Sequence, residues 1–323
     1  YQFRENPSLA LWLVGADGGK PRRLTEAALN ASSARWSADG GQLYFLAPNK
    51  GSSQLWRVDA KGGSPLQAST LKLDVGSFKL SPAGKQVLLS LEVFPECGTE
   101  ADVVACTRDR LDARAADKAT GRVYDKIFVR HWDTWADGRR AQLFIADIHD
   151  DGTLGAPRLL SKGIDGDVPS KPFGDDSEYA FSPDGQTVYF NVRIAGTSEP
   201  WSTNFDIYSV PTDGSAEPTN LSADNPAWDG YPLPSHDGKT LYWLAMKRPG
   251  FEADRFGIMA LDLASGERRE VAPGWDRSAS ALKESFDGKT LYTATDDWGE
   301  HALFAIDVRS GKGPLRAGEL VTD

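Results

Sequence analysis

Residues 181–190 read FSPDGQTVYF: a strand end, a tight turn built on Asp184 and Gly185, and a second strand with alternating apolar positions. Glycine accepts positive φ without steric cost, and an Asp or Ser side chain can hydrogen-bond the backbone of its own turn. Together they join two antiparallel strands in a hairpin. Four further copies occur, WSADGGQLYF at 36–45, LSPAGKQVLL at 80–89, PSHDGKTLYW at 234–243 and ESFDGKTLYT at 284–293. A hairpin repeated this often defines a repeat architecture, which is read before any single residue.

A second hairpin follows the first. It is an apolar run ending in Asp, a Gly-containing turn and a short apolar strand, as in QLWRVDAKGGSPLQ from Gln54, DIYSVPTDGSAEPTNLS from Asp206, GIMALDLASGERREV from Gly257 and LFAIDVRSGKGPL from Leu303. The chain opens with one as well, LWLVGADGGKPRRLT at 11–25. Two hairpins in series make a four-stranded antiparallel unit, the blade of a β-propeller, which takes about 40–50 residues. Subtracting the positions of Ser37, Ser81, Ser182, Ser235 and Ser285 gives spacings of 44, 101, 53 and 50. The long gap reads as one blade with a large insertion. The expectation is an all-β propeller domain over residues 1–323, with an outer hairpin at 1–25 and blades at 34–67, 77–160, 177–221, 231–271 and 281–316. Seven blades are expected in the full domain, one of them beyond Asp323, with a small, partly helical insertion at about 93–140.

The formal charge of −10 and pI near 5.0 argue against a nucleic-acid partner, because phosphate contact needs clustered Lys and Arg. No apolar run approaches the ~18 residues of a membrane span. There is no G-x-S-x-G elbow, no phosphate-binding Gly loop and no EF-hand string. The four histidines, His131, His149, His236 and His301, lack metal-ligand spacing. No cofactor, no metal and no catalytic residue is therefore expected in this chain. The runs Asp165-Gly166-Asp167 and Asp175-Asp176 read as solvated loops. Cys97 and Cys106 stand nine apart in a polar insertion without zinc-type spacing. They read as a local disulfide, the alternative being two free thiols. A disulfide fits a periplasmic or secreted protein; the chain starts at Tyr1 without Met, so a leader cannot be inspected.

Trp36, Tyr44, Phe45, Trp56, Tyr189, Phe190, Tyr208, Tyr242, Trp243, Tyr292 and Phe304 fall on predicted strands and are expected between blades. Trp132, Trp135, Trp201, Trp228, Trp275 and Trp298 fall in loops or at strand ends, where aromatics mark contact surfaces. The insertion between Glu92 and Arg140 contains Arg130-His131-Trp132-Asp133-Thr134-Trp135, a dense mixture of charge and aromatic rings. Its purely structural reading is an Arg–Asp pair bracing a bent hairpin with two stacked Trp rings. The connections between second and third strands should emerge on the insertion's face, carrying Glu199 and Trp201, then Arg248, Phe251, Glu252, Asp254 and Arg255, then Asp297, Trp298 and Glu300. Carboxylates among aromatics can bind a cationic group such as a peptide amino terminus. The substrate-binding candidates are Glu252, Asp254, Arg255, Arg130, His131, Trp132, Asp133, Trp201 and Trp298; the competing reading of each is an ordinary polar loop.

SPDGQTVYF and DIYSVPTDG resemble the propeller repeats of the prolyl oligopeptidase family and of TolB-like periplasmic proteins. More specifically, VYDKIFVRHWDTWADGRRAQLF, the CGTE and ACTRDR segments before it, and KRPGFEADRFGIMALD at 247–262 resemble the N-terminal propeller of bacterial dipeptidyl peptidase V and acylaminoacyl-peptidase-like serine peptidases. The resemblance covers essentially the whole chain. It implies an exported serine peptidase releasing dipeptides from peptide amino termini, with short peptides as substrates and the protein's own C-terminal α/β-hydrolase domain as partner. The oligomeric state is left open. Dipeptidyl peptidase IV-type relatives bind the substrate amine through a propeller Glu pair; no Glu-Glu dipeptide occurs here, so Glu252 and its neighbours are the candidates for that part. The alternative is a free-standing TolB-like propeller that binds proteins, and a third option is a propeller lactonase or glycosidase, for which no motif is present.

Overall fold

The computed structural model describes residues 8–124, 127, 129–310 and 315–319. Asp125, Lys126 and Phe128 in the insertion, 311–314 in the last hairpin, and residues 1–7 and 320–323 lie outside the described residues.

Five four-stranded antiparallel meanders follow a leading hairpin, Trp12–Gly15 with Gly18–Arg23. The first meander is Ser32–Trp36, Gln42–Asn49, Ser52–Asp59 and Leu66–Gln67. The second is Val75–Leu80, Gln86–Val93, Arg140–Asp147 and Arg158–Leu159; the third is Tyr179–Phe181, Thr187–Arg193, Phe205–Pro211 and Thr219–Asn220. The fourth is Asp229–Pro234, Thr240–Ala245, Gly257–Asp262 and Arg268–Val271, and the fifth is Lys283–Glu284, Thr290–Asp297, Glu300–Asp307 and Leu315–Glu319. Each is ordered first to fourth strand without crossover, the blade repeat of a β-propeller. Contacts divide the chain into two compact units, 1–121 with 139–160, and 122–138 with 161–323.

The repeated turn explains the register. In the third blade Ser182 accepts from the amide of Thr187 at 2.9 Å, while Asp184 accepts from Gln186 at 3.0 Å, and Gly185 sits at φ 72°. The same bonds recur at Ser235–Thr240 and Asp237–Lys239 (2.9 and 3.0 Å), and the hydroxyls of Ser37, Ser182, Ser235 and Ser285 hold Asp39, Asp184, Asp237 and Asp287 below the usual carboxylate range. A hairpin whose turn is fixed this way cannot slip by one residue, which would turn every apolar side chain outward.

In the first unit, Leu55, Val75, Leu89, Leu91 and Phe144 form a core between the first and second blades. In the second unit, Tyr189, Ile207, Leu241 and Trp243 fill the space between third and fourth blades, and Leu244, Ile258, Leu291 and Ile306 that between fourth and fifth. Most of the strand aromatics are buried as expected, but Trp36 is 49% exposed and Tyr292 37%. Tyr292 lies between buried Leu291 and Thr293, so the two-residue period of the strand turns it outward. Trp36 ends its strand where the Ser37 turn begins.

The insertion leaves after Val93 and returns at Arg140, opposite Val93. Its helix α1, Val103–Ala116, starts at Asp102, whose carboxylate accepts from the Ala105 amide at 2.9 Å. Val103 and Thr107 are buried, the Arg114 guanidinium lies 4.3 Å from the Phe94 ring centroid, and a disulfide joins Cys97 to Cys106. One solvated-loop expectation is corrected: Asp167 is buried, because Gly166 packs its backbone against the third blade. A Cβ at Gly166 would stand 2.4 Å from Val192 Cγ2 and 2.6 Å from the Arg193 carbonyl oxygen.

Candidate functional site

Every predicted binding residue falls in the second unit. Arg130–His131 pairs with Thr134–Trp135 in a two-stranded hairpin whose tip, Trp132, has φ 46°. An Arg130–Asp133 ion pair and stacked indoles do not form there. Arg130 instead donates to the Trp132 carbonyl and lies over the Trp135 ring, 5.7 Å from its centroid. Trp132 packs against His131 at 5.0 Å and Phe173 at 5.4 Å between centroids. Phe173 comes from a loop that sequence reasoning did not single out; nothing in its local pattern announces a partner 41 positions earlier.

That loop and the second-to-third connection of the third blade meet at a small cleft open to solvent, lined by Asp167, Ser170, Lys171, Arg193, Glu199 and Phe205. Lys171 stands 3.5 Å from Asp167, and Arg193 stands 3.8 Å from Glu199. The Arg193 guanidinium also donates to the Ser202 carbonyl at 3.0 Å and covers the Phe205 ring. Buried Glu178 shapes the wall by accepting from the Ser170 amide at 2.6 Å and hydroxyl at 2.7 Å. Burial pushes its carboxyl up, against the pull of the Ser170 bonds. Trp201 stands 67% exposed at the end of this connection.

The next connection, 246–256, is tied to the first by the Gly250 amide, which donates to Thr203 Oγ1 at 2.8 Å. Asp254 and Arg255 are occupied in holding it. Asp254 accepts from the amides of Lys247 and Arg248 at 2.8 Å each, and Arg255 donates to Glu270 at 2.7 Å beside a 2.6 Å bond from Lys247. Although burial opposes it, those amides hold the Asp254 carboxyl below the usual range. At Glu270 burial likewise opposes the lowering, but Lys247 and Arg255 outweigh it and hold the carboxyl below its usual range. Glu252 is exposed at the tip, next to Phe251 with Arg248 at 4.1 Å from its ring centroid.

In the fifth blade the connection is the two residues Trp298-Gly299, with Trp298 at φ 54° and 90% exposed. Arg277 lies 5.8 Å from its centroid while donating to Asp297 at 2.8 Å. An L-residue with a large side chain at positive φ is strained, and an indole in water loses its burial. Trp132 and Trp298 bear both costs at hairpin tips. The end of these blades therefore offers exposed aromatics, arginines and the free carboxylate of Glu252. Among the described residues no cluster of three or more His, Cys, Asp or Glu could hold a metal ion.

No protein-family model matches the chain. Dipeptidyl-peptidase 5 of Porphyromonas gingivalis is 34% identical over 303 residues, 94% of this chain and 42% of that protein. The chain thus spans less than half the length of this relative. Among solved structures, Pyrococcus horikoshii acylaminoacyl peptidase matches with a TM-score of 0.65 at 14% identity, over 96% of this chain and 41% of that one. The β-propeller domain of the Trilobed protease from Pyrococcus furiosus matches at 0.54 and 13%, over 96% and 75%. At such identities the structural matches speak for the fold alone. The chain is a β-propeller domain that is similar, over nearly all of its length, to part of dipeptidyl-peptidase 5.

Proposed function

We propose that this propeller is the substrate-gating domain of an exported serine exopeptidase that releases dipeptides from peptide amino termini. The observation that carries the reading is the 34% identity to dipeptidyl-peptidase 5 along 94% of the chain. In this account the nucleophile, base and oxyanion hole reside in an α/β-hydrolase domain of the full-length protein and act by acyl transfer. The propeller selects: short, unfolded peptides reach the hydrolase, and folded proteins do not. The rim formed by Trp132, Trp201 and Trp298, with Arg130, His131 and Asp133 around the first of them, grips apolar side chains of the incoming peptide. Exposed carboxylates take its ammonium group, Glu252 foremost, because Asp254 is engaged within its own connection. Charge-assisted bonds to a partly desolvated ammonium are the strong kind.

The test uses the full-length enzyme and a series of dipeptidyl substrates with free or acetylated amino termini. Glu252→Gln should raise KM for the free-amine substrates about tenfold, the equivalent of one charge-assisted bond, and leave kcat alone. An unchanged KM removes Glu252 from the site, and absence of dipeptide release by the unaltered enzyme removes the proposed activity.

A further inference from the structure

Two carboxyl groups, Asp229 buried and Asp206 half-buried, lie where the third and fourth blades meet. Asp229, which opens the first strand of the fourth blade, is 1% exposed. Its Oδ1 accepts from the Trp243 indole at 2.6 Å and its Oδ2 from the Asn225 amide at 3.0 Å, with the Ser222 hydroxyl also within reach. Asp206, on the third strand of the third blade, accepts from Asn220 through Oδ2 at 2.9 Å. Its Oδ1 is buried and makes no hydrogen bond of good geometry, although the Ser222 hydroxyl that faces Asp229 faces Asp206 as well.

The groups facing this pair bring no compensating positive charge. From the fourth blade come the indole of Trp243 and the backbone at Met246. From the third come Ser222, Asn220, Asn225 and the Tyr208 phenol, which also receives a bond from Asn220. Asp224 adds a further negative charge, but it is matched by its own ion pair with Arg268. Among the described residues no Lys, Arg or His pairs with Asp206 or Asp229. A buried carboxylate without a cation favours its neutral form. Burial first, then the neighbouring Asp206, pushes Asp229 up to about 7, and burial raises Asp206 as well.

We propose that Asp206 and Asp229 form a proton-dependent latch between the third and fourth blades, closed while Asp229 is protonated and loosened when both carboxyls are charged. The latch reaches the candidate site through two connections. The Asn225 amide that donates to Asp229 also donates to the carbonyl of Met246, the first residue of the 246–256 connection, at 3.0 Å. Asp206 directly follows Phe205, which closes the charged cleft. The sign follows from linkage. An unfolded Asp ionises near 4, whereas folded Asp229 keeps its proton to about 7. Folding therefore binds a proton between those values, and stability falls as pH rises through that window, levelling off above it.

The experiment is urea unfolding of this chain at pH 5.5 and 7.5, alongside Asp229→Asn and Asp206→Asn. The folding constant of the unaltered chain should fall about 20-fold more between the two pH values than that of Asp229→Asn. Asp206→Asn, which removes the second charge and puts an amide donor where the buried Oδ1 lies, should be more stable than the unaltered chain at pH 7.5 and less sensitive to pH. Equal pH dependence in the unaltered chain and Asp229→Asn overturns the latch. Should Asp229→Asn not fold, Asp206→Asn decides: a pH dependence and pH 7.5 stability identical to those of the unaltered chain overturn it equally.

Discussion

The charged cleft exists because the loop before the third blade lies flat against it, and Gly166 makes that approach possible. A methyl group at this position would meet Val192 Cγ2 at 2.4 Å and the Arg193 carbonyl oxygen at 2.6 Å. Both distances are about 1 Å inside ordinary contact, and one of the groups is backbone in a central strand that cannot rotate away. Gly166→Ala must therefore lift the loop that carries Asp167, Ser170 and Lys171. Overpacking of this kind costs typically 1–3 kcal/mol; backbone resistance puts Gly166→Ala at the upper end, about 3 kcal/mol. Gly274→Ala is the control, since a Cβ there meets nothing within 4 Å and its φ is not in the left-handed region. Urea unfolding of the two variants and the parent chain gives the comparison. A Gly166→Ala chain as stable as Gly274→Ala would refute the packing argument, and with it the account of how the cleft is held.

Three further outcomes follow from the same geometry. Replacing Cys97 and Cys106 together by Ala should lower stability by about 2–3 kcal/mol in the loop-closure treatment, read as a lower Tm that added reductant no longer changes; an unaltered Tm would contradict it. Trp298→Asn should raise stability by up to about 1 kcal/mol, because Asn tolerates the left-handed backbone and no buried contact is lost, while peptide binding by the full-length enzyme weakens; a drop in Tm would show that the indole supports the fold. Glu270→Gln should cost about 1 kcal/mol near pH 7 and little below pH 3, since a carboxylate held below its usual pKa stabilises above the unfolded value and loses that contribution as pH falls; a cost independent of pH would assign the loss to packing.

Much of the blade pattern was legible because it is written locally. Ser182, Asp184 and Gly185 lie within four positions of one another, and their bonds close over a single turn. The partly helical insertion expected at about 93–140 holds helix α1, and the two-residue period located the strands. What sequence reasoning missed is non-local. Phe173 meets Trp132 only because the loop before the third blade folds back on the hairpin. Asp167 reads as solvated in DGD and is buried by a glycine's approach to the Val192 backbone strand. Asp254 and Arg255 look like free loop charges until the Lys247 and Arg248 amides and Glu270 are placed beside them. Asp229, in PAWDGYP, carries no mark of burial at all; its environment is made by Trp243 and Asn225 from either side.

The central claim, that this propeller works with a serine hydrolase, is tested most directly by labelling the source preparation with a fluorophosphonate and probing a denaturing gel with an antibody to this chain. The account predicts one band, both labelled and antibody-positive, well above the 35.1 kDa of these residues. Antibody-positive protein only near 35.1 kDa, with no labelled species co-purifying, would contradict it.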